Sequence, residues 1–491
     1  MKAKVLLLAI ALAATAVADE RGAIRAFEAA KRTDPELMAF FSRMPKGGDL
    51  HNHVSGAIYS DSMLDAAIAK GLFFDPATSR FGADSTKVPA IRLLSDNRLL
   101  YQFLNAASMR GWRGGGQSGH DHFFDTFGIF GGALDAMTEE QILAEAIGRA
   151  KLQNLQYMEL MASPAPDDAF AAYMKELPSS ADMAAALETL KPKLSVVLAA
   201  TRINLDKREA IGALIGQRSL TGPEEPITIR WIHSINRLAG PDSFFANAAL
   251  GIYLAANEPR VVAMNMVAPE DHPLSRTQFE SQMRMIDFLW KSLGKPNLTL
   301  HGGELTSAIS PPEVMRDRIR KTIDIGHAKR IGHGVSIAWE NDLDGLFANM
   351  RRDGIAVEIC LSSNASILGV SGPQHPLKLY RRAGIPVFLN TDDEGVSRST
   401  MTQEWIRGVR EQDLSYLDLK EMARNSIEYS FLSGRSLYES HNYARILGPL
   451  KDATKPTWKP NPAVQRLLDA SEKMRVQLRL EQAFANFERR Y

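Results

Sequence analysis

Eight short apolar or β-branched runs recur along the sequence, separated by stretches with the spacing of amphipathic helices. Such runs, bounded by turn residues, predict buried strands, and their alternation with helices predicts a parallel sheet. Eight parallel strands close a TIM (β/α)8 barrel, so the predicted fold class is α/β with this barrel at its centre. The predicted strands are Gly48–Val54, Leu155–Ala162, Ile227–His233, Val261–Val267, Leu298–Gly303, Arg330–Gly334, Ile355–Leu361 and Ile385–Thr391.

Three segments lie outside this alternation. Residues 19–44 are charged and compatible with helix, which predicts a helical N-terminal extension. Residues 73–134 form a long insertion after the first strand, and residues 414–491 are predicted to be helices that pack on the barrel. Within the insertion, Gly114–Gly119 is predicted to be a mobile loop, because no Lys-Ser/Thr follows it as in a phosphate cradle. The barrel, with its insertion and its C-terminal helices, is predicted to occupy residues 45–491.

The N-terminus has the pattern of a secretory signal. Lys2 and Lys4 precede an almost entirely apolar run, Val5–Val17, and Ala16-Val17-Ala18 is a small-x-small cleavage pattern. The run is shorter than the roughly 20 residues that span a bilayer, so residues 1–18 are predicted to be cleaved on export. The alternative is an uncleaved N-terminal anchor. We therefore expect a periplasmic or secreted protein, of bacterial type.

Composition excludes several kinds of partner and site. The formal net charge is +1 and long basic runs are missing, whereas proteins that bind nucleic acid carry a basic stripe. After the signal, no segment is long and uncharged enough to predict a membrane span. Cys360 is the single cysteine, so neither an intramolecular disulfide nor a thiolate-rich metal site can form. Histidine, aspartate and glutamate remain as metal ligands.

Residues suited to chemistry fall at the C-terminal ends of the predicted strands, where TIM barrels gather catalytic groups. The first strand ends in His51-Asn52-His53, whose histidines point to the same side of the strand. On its own, that pair is also typical of hydrogen-bonded or surface histidines. The fifth strand ends in His301-Gly302-Gly303-Glu304 and the sixth in His333 between two glycines. The eighth ends in Asp392-Asp393-Glu394, a pattern that a solvated loop or a helix N-cap also shows.

Together these strand ends predict a metal-assisted hydrolase. Three histidines and an aspartate would give zinc a site of nitrogen and oxygen ligands with a position left for water. Zinc lowers the pKa of water to near neutrality and so provides a hydroxide nucleophile. Glu304 and His333 lie at the same end of the barrel, where nothing structural explains two titratable side chains.

At these residues the chain resembles the adenosine deaminase family, over about residues 44–422. The signal and the long insertion resemble the secreted, growth-factor-type branch, the adenosine deaminase 2-like proteins, although the insertion lacks the cysteines usual in that branch. The matching motifs, in order, are Met44-Pro45-Lys46, Asp49–Gly56, His301–Glu304, Arg330–Gly334 and Asn390–Asp393, with weaker matches at Tyr157–Leu160 and Leu361–Asn364.

The resemblance implies conversion of adenosine, and of 2′-deoxyadenosine, to inosine-type products and ammonia. It implies one zinc ion per chain, held by His51, His53, His301 and Asp392. Glu304 would protonate purine N1, and His333 would help to deprotonate the attacking water and stabilise the hydroxide. Asp393 would hold the N7 edge, and the backbone N–H of Gly303 would meet N3.

Two positions depart from the family pattern and leave other substrates open. Ser55 stands where the family usually has an acidic residue that meets the ribose, and Val267–Asp271 replaces the usual turn after the fourth strand. The alternatives are another 6-aminopurine or an N6-modified adenosine as substrate. A nucleoside-binding protein without catalysis is a third hypothesis, which Glu304 and His333 argue against.

Two further expectations concern packing. Phe127, with Phe123, Phe124 and Phe130, has helical spacing and is assigned to a lid over the base; the alternative is the core face of a helix in the insertion. Residues 19–44 are a candidate surface for a homodimer.

Overall fold

Thirteen strands lie in residues 20–217 and 227–491, which the computed structural model describes. The predicted signal, residues 1–18, lies outside the described residues. In chain order the strands are β1 (Gly47–His53), β2 (Phe73–Asp75), β3 (Arg80–Gly82), β4 (Val88–Pro89), β5 (Leu155–Met161), β6 (Thr228–Asn236), β7 (Val261–Val267), β8 (Thr299–Gly302), β9 (Arg330–His333), β10 (Ala356–Ile359), β11 (Val387–Leu389), β12 (Tyr438–Glu439) and β13 (Asn442–Ile446).

Eight of these strands form the barrel. They pair in parallel as two four-stranded sheets, in the orders β1-β5-β6-β7 and β11-β10-β9-β8. Isolated parallel bridges, between Met264 and Leu298 on one side and Asn52 and Asp392 on the other, join the two sheets. The strands therefore follow one another in the cyclic order of a TIM barrel, and the predicted fold is confirmed.

The barrel strands match the predicted runs, with shifts at their ends. The largest shift is in β6, which continues to Asn236 instead of ending at His233. In contrast, β11 ends at Leu389, before the predicted Thr391. Asp392, which follows, has φ +60°, so the chain has left the extended conformation where the site begins.

The helices surround the barrel and extend it at both ends of the chain. In chain order they are α1 (Glu20–Ala30), α2 (Asp34–Phe41), α3 (Val54–Ala57), α4 (Ser60–Ala69), α5 (Asn97–Ala106), α6 (Gly119–Leu134), α7 (Glu139–Leu152), α8 (Asp167–Tyr173), α9 (Met183–Gln217), α10 (Pro241–Asn257), α11 (Pro273–Ser292), α12 (Pro312–Met315), α13 (Arg318–Asp324), α14 (Leu343–Asp353), α15 (Leu361–Leu368), α16 (Leu377–Arg382), α17 (Met401–Gln412), α18 (Tyr416–Glu428), α19 (Pro462–Asp469) and α20 (Glu472–Glu488). Short 3-10 turns are formed by Ala90–Ser95, Val335–Trp339, Gly372–Gln374 and Gly448–Leu450. Within the described residues, no helix has the length and apolar character that crossing a bilayer requires.

Helices α1 and α2 occupy the predicted N-terminal extension. The ring of Phe40 lies 5.7 Å from that of Phe27 and 5.2 Å from that of Phe487, measured between centroids. Phe41 meets Trp405 of α17 at 5.7 Å. The aromatic face of the extension is therefore buried against this chain's own C-terminal region, where edge-to-face ring pairs add to the stabilisation from buried area.

The insertion has a small core of its own. Strands β2, β3 and β4 form an antiparallel sheet, against which α5 and α6 pack. Its centre is aromatic: Phe81 lies 5.2 Å from Phe74 and 4.8 Å from Phe103, between ring centroids. This packing places α6 beside the C-terminal ends of the barrel strands.

The C-terminal segment is helical as predicted, but it also contains an unpredicted hairpin, β12–β13. Tyr438 is buried there, packs on Tyr443 at 4.8 Å and donates a hydrogen bond to Glu481 at 2.6 Å. The second strand reads Asn-Tyr-Ala-Arg-Ile and is mostly exposed, so it lacks the apolar alternation by which a strand is recognised.

Candidate active site

Four side chains converge at the C-terminal end of the barrel, namely His51, His53, His301 and Asp392. Their potential ligand atoms all lie within 4.8 Å of one another. His51 Nε2 is 3.1 Å from His301 Nε2, and Asp392 Oδ1 is 3.3 Å from His53 Nε2. Tetrahedral zinc with bonds of 2.0–2.1 Å separates its ligand atoms by about 3.3 Å. The four side chains therefore fit a metal ion of this kind.

Neighbouring side chains fix the hydrogen positions on two of these histidines. His51 Nδ1 donates to Glu358 Oε2 at 2.6 Å. His301 Nδ1 donates to Asn265 Oδ1 at 3.0 Å, and that oxygen also accepts the backbone N–H of His301 at 3.2 Å. With the proton on Nδ1, each ring presents the lone pair of Nε2 to the centre of the site, as metal binding requires.

Glu358 is a functional residue that the sequence analysis did not identify. It is fully buried on β10 and also accepts hydrogen bonds from Thr299 Oγ1 at 2.7 Å and Arg330 Nε at 2.6 Å. Burial alone would raise its pKa, but Arg330 and His51 outweigh burial and lower the pKa to about 2. The side chain is therefore a carboxylate at neutral pH. Its signal in the sequence is a charged residue inside the apolar strand Ala356–Ile359.

Hydrogen bonds across the seam between β1 and β11 position Asp392. Its backbone N–H donates to His51 O at 2.8 Å, and its carbonyl accepts the N–H of His53 at 3.2 Å. Asn390 Oδ1 accepts the N–H of Leu50 at 2.9 Å. The left-handed φ of Asp392, unusual for a residue with a Cβ, is held by this pairing, and strained backbone of this kind clusters at functional sites.

Glu304, His333 and Asp393 direct buried polar atoms toward the same place. Among the described residues, Glu304 Oε1, His333 Nε2 and Asp393 Oδ1 have no hydrogen-bond partner. His333 Nε2 lies 3.5 Å from Glu304 Oε1 and 3.6 Å from Asp392 Oδ2. Each buried polar atom without a partner costs about 1–3 kcal/mol. Their convergence therefore marks a position where a ligand supplies the missing partners.

Burial shifts the pKa values of both Glu304 and His333 toward the uncharged form of each side chain. Burial, reinforced by the charges of Asp392 and Glu270, raises the pKa of Glu304 well above its usual value. Burial lowers the pKa of His333 to about 3, against the opposing effect of Asp392. The buried site therefore favours the carboxylic acid form of Glu304 and the neutral imidazole form of His333.

Glu270 positions Glu304, although sequence reasoning noted it only as part of an unusual turn. Its Oε2 accepts the backbone N–H of Glu304 at 2.8 Å. The other oxygen of Glu270 lies 3.2 Å from Arg318 Nε and 3.7 Å from Arg237 Nη1, and all three side chains are buried. These two arginines hold Glu270 and thereby the backbone that carries the acid.

Two motif glycines make room for site residues. A Cβ on Gly332 would lie 2.8 Å from His51 Cε1, and a Cβ on Gly56 would lie 1.6 Å from Asp393 Oδ1. Both distances are shorter than a side chain tolerates, so close packing requires glycine at these positions.

A cavity of about 660 Å³ opens above the four converging side chains, and Ser55 and Phe127 are among the residues that line it. Phe123 and Phe124 line it as well, whereas Phe130 packs into the core of the insertion. The aromatic stripe of α6 thus serves both as cavity wall and as core. Gly303 is buried beside Glu304 but is not among the lining residues.

Comparison with known proteins places the chain in a family. The family model described as adenosine deaminase matches residues 189–438. An aminodeoxyfutalosine deaminase from Streptomyces avermitilis is 29% identical over 234 residues, which cover 47% of this chain and 60% of that protein. An adenosine deaminase from Shewanella loihica is 34% identical over 137 residues, which cover 28% of this chain and 38% of that protein. The chain thus matches 60% or less of the length of these relatives.

Solved structures give the same fold over a longer range. The N6-mAMP deaminase from Arabidopsis superposes with a TM-score of 0.51 at 20% identity, covering 80% of this chain and 96% of that one. At this identity the likeness concerns the fold alone. Since the family model covers half of the sequence and includes the motifs at His301, His333 and Asp392, the chain belongs to the adenosine deaminase family.

Proposed function

We propose that this protein is a zinc-dependent hydrolase that deaminates adenosine and 2′-deoxyadenosine, giving inosine or deoxyinosine and ammonia. The observation that carries the proposal is the buried pair of Glu304 and His333, whose Oε1 and Nε2 atoms lie 3.5 Å apart without hydrogen-bond partners among the described residues, next to four side chains with metal-ligand spacing. A protein that merely binds a nucleoside has no use for an acid at this position.

His51, His53, His301 and Asp392 would hold the ion. When bound, zinc supplies a hydroxide nucleophile at neutral pH by lowering the pKa of water. The second-layer groups Glu358 and Asn265 keep the Nε2 lone pairs of His51 and His301 directed at one point.

Glu304 would hold the proton that the purine needs. Attack at C6 breaks the aromaticity of the ring, and protonation of N1 allows the electron pair to settle there. The water oxygen then bonds to C6 and the C6–N6 bond breaks. Of the two protons of the water, one leaves with N6 as ammonia and the other restores the acid form of Glu304, so adenosine and water become inosine and ammonia. Asp393 Oδ1, buried without a partner among the described residues, would meet the N7 edge of the same ring.

The far side of the cavity favours an uncharged nucleoside over a nucleotide. Its wall there is mainly apolar, with Phe124, Phe127 and Ile142, and no lysine or arginine of the described chain lines the cavity. Phosphate groups are recognised by arginine, lysine or clustered N–H donors. The hydroxyls of Ser163 and Ser234 line the cavity without partners in the described residues, and they suit the hydroxyls of a ribose.

A different 6-aminopurine or an N6-modified adenosine is the second candidate. It is favoured by Ser55 at the cavity wall, in the place of an acidic ribose contact. The names of similar proteins, which include an adenine deaminase from Rhizobium meliloti, fit a pocket that accepts several 6-substituted purines.

The central experiment follows conversion of adenosine to inosine by absorbance, with and without a chelator. We expect turnover by the metal-loaded protein and its loss on chelation, with recovery on addition of zinc.

Glu304→Gln is expected to lower kcat by about 10²–10⁴-fold, because the amide has no acidic proton to give to N1. Since the acid form is required, kcat/KM should fall as pH rises through the elevated pKa of Glu304. Full activity of Glu304→Gln, or of the chelated protein, would refute the mechanism.

Comparing adenosine with AMP tests whether the cavity favours an uncharged nucleoside over a nucleotide. We expect kcat/KM for AMP to be lower by about 100-fold or more, because burial of an unpaired charge costs several kcal/mol. 2′-Deoxyadenosine serves as the control, since it lacks one hydroxyl and adds no charge. Equal turnover of AMP and adenosine would show that a cationic group reaches the substrate.

The role of Glu358 is tested by metal affinity. Glu358→Gln is expected to weaken zinc binding by about 10–100-fold, because His51 loses the carboxylate that orients it. Metal retained after dialysis against a chelator measures this effect. Glu481→Gln is the matched control, since Glu481 is also buried and bound to an arginine, Arg424, but belongs neither to the cavity wall nor to the four converging side chains. Equal loss of metal from both variants would indicate general destabilisation.

We further propose that the protein is exported, on the basis of residues 1–18, and belongs to the secreted growth-factor-type branch. Cell fractionation of the full chain would test export, and finding uncleaved protein in the cytoplasm would contradict it. The homodimer through residues 19–44 stays a prediction, which sedimentation would test.

A further inference from the structure

A chain of three buried hydrogen bonds leads from the backbone of α16 to the active site. It begins at the N–H of Leu377, which donates to His375 Nδ1 at 3.2 Å. A backbone N–H is always a donor, so Nδ1 of His375 must accept. Burial lowers the pKa of His375 to about 4, so the ring is neutral and its one proton lies on Nε2.

This proton sets the orientation of Asn364. His375 Nε2 donates to Asn364 Oδ1 at 3.0 Å. The oxygen of the amide therefore faces His375, and its NH2 group faces the other way, toward His333. Both Asn364 and His375 are buried, at 0% and 3% exposure, so water does not compete for these bonds.

Asn364 in turn determines which nitrogen of His333 carries the proton. Asn364 Nδ2 lies 3.0 Å from His333 Nδ1. Since the amide nitrogen can only donate, His333 Nδ1 accepts and carries no proton, so the single ring proton lies on Nε2. We propose that Asn364 and His375 are positioning residues that fix His333 as the Nε2–H tautomer, so that it donates a hydrogen bond into the active site.

The polarity of His333 is therefore opposite to that of its neighbours. His51 and His301 donate from Nδ1 to oxygen atoms and direct lone pairs at the site. Two groups of side chains have the spacing of metal ligands, and both contain His51 and Asp392. The first group also contains His53 and His301, and the second also contains His333 and Cys360. A nitrogen that carries a proton has no lone pair for a metal, so the second group is excluded by the hydrogen bonding of His333.

The tautomer also limits the chemistry of His333. With Nε2 protonated, it stabilises an attacking oxygen by donating to it, and it does not remove the proton of the water. This step of the inference rests on the proposed deamination, whereas the tautomer itself does not. His333 Nε2 is buried without a partner among the described residues, as expected for a donor that waits for a ligand.

The tautomer is measured directly by a long-range ¹⁵N–¹H correlation spectrum of the zinc-loaded chain labelled in its histidines. Comparison with His333→Gln assigns the signal among the eleven histidines. In the native protein we expect the proton of His333 on Nε2. A proton on Nδ1 would overturn the proposal.

Asn364→Asp replaces the amide donor that faces His333 Nδ1 with a carboxylate acceptor of almost the same shape. A carboxylate accepts from His333 Nδ1, so the proton should move to Nδ1 and leave a lone pair facing the site. We expect kcat to fall by about 10²–10⁴-fold, as when a catalytic histidine is held in the wrong tautomer, with KM little changed. An unmoved proton would overturn the role of Asn364.

Two substitutions of His375 provide a matched pair. His375→Gln keeps a donor toward Asn364 Oδ1, whereas His375→Glu presents an acceptor and should turn the amide around. We expect the native tautomer of His333 in the first variant and the reversed one in the second, with thermal unfolding recorded for both. The same tautomer in both variants would overturn the role of His375 in orienting Asn364, which is the relay from His375 through Asn364 to His333. A native protein that shows the Nε2–H tautomer but deaminates no purine nucleoside would refute the proposed function and leave the relay intact.

Discussion

The carboxylate of Glu358 connects four barrel strands through side-chain hydrogen bonds, and the orientation of His51 in the site depends on it. From β10 it accepts hydrogen bonds from His51 on β1, Thr299 on β8 and Arg330 on β9. Arg330 also pairs with Glu159 on β5, so the buried charges extend across the barrel. Removing one partner from such a network leaves an uncompensated buried charge and costs about 3–5 kcal/mol. Ion pairs between buried side chains thus stabilise the barrel interior around Glu358, and the carboxylate of Glu358 also orients His51.

The environment gives different chemistry to histidines that the sequence alone cannot distinguish. A carboxylate or amide oxygen at Nδ1 makes His51 and His301 donors there and leaves Nε2 as a ligand. An amide nitrogen at Nδ1 gives His333 the reverse arrangement. Because neutral imidazole has one proton, the partner at one nitrogen decides what the other nitrogen offers. The site is therefore defined by its second layer as much as by the four converging side chains.

Sequence reasoning found the strands and the residues at their ends because both leave local signals. Apolar runs mark the strands, and a histidine or aspartate directly after such a run is visible without knowledge of the fold. Glu358 and Asn265 were missed, because their partners His51 and His301 lie 307 and 36 residues away along the chain. No periodic pattern encodes a hydrogen bond between side chains on different strands. The hairpin at Tyr438 was not predicted for a related reason, since it is stabilised by contacts of a few side chains and contains no apolar run.

The two halves of the barrel contribute different things to the cavity. The groups suited to chemistry follow β1, β8, β9 and β11, as His53, Glu304, His333 and Asp393 show. The ends of β5, β6 and β7, with the insertion helix α6, supply a mainly apolar wall with a few hydroxyls. Changes in that wall alter the shape and polarity offered to the remote part of a substrate, whereas the four converging side chains lie on β1, on β8 and after β11. A family with this division can retain one hydrolytic reaction while its members differ in the purine they accept. The departures of this chain from the family pattern at Ser55, Ala268 and Pro269 lie on the wall of the cavity, while Glu304 and His333 are buried beside the four converging side chains.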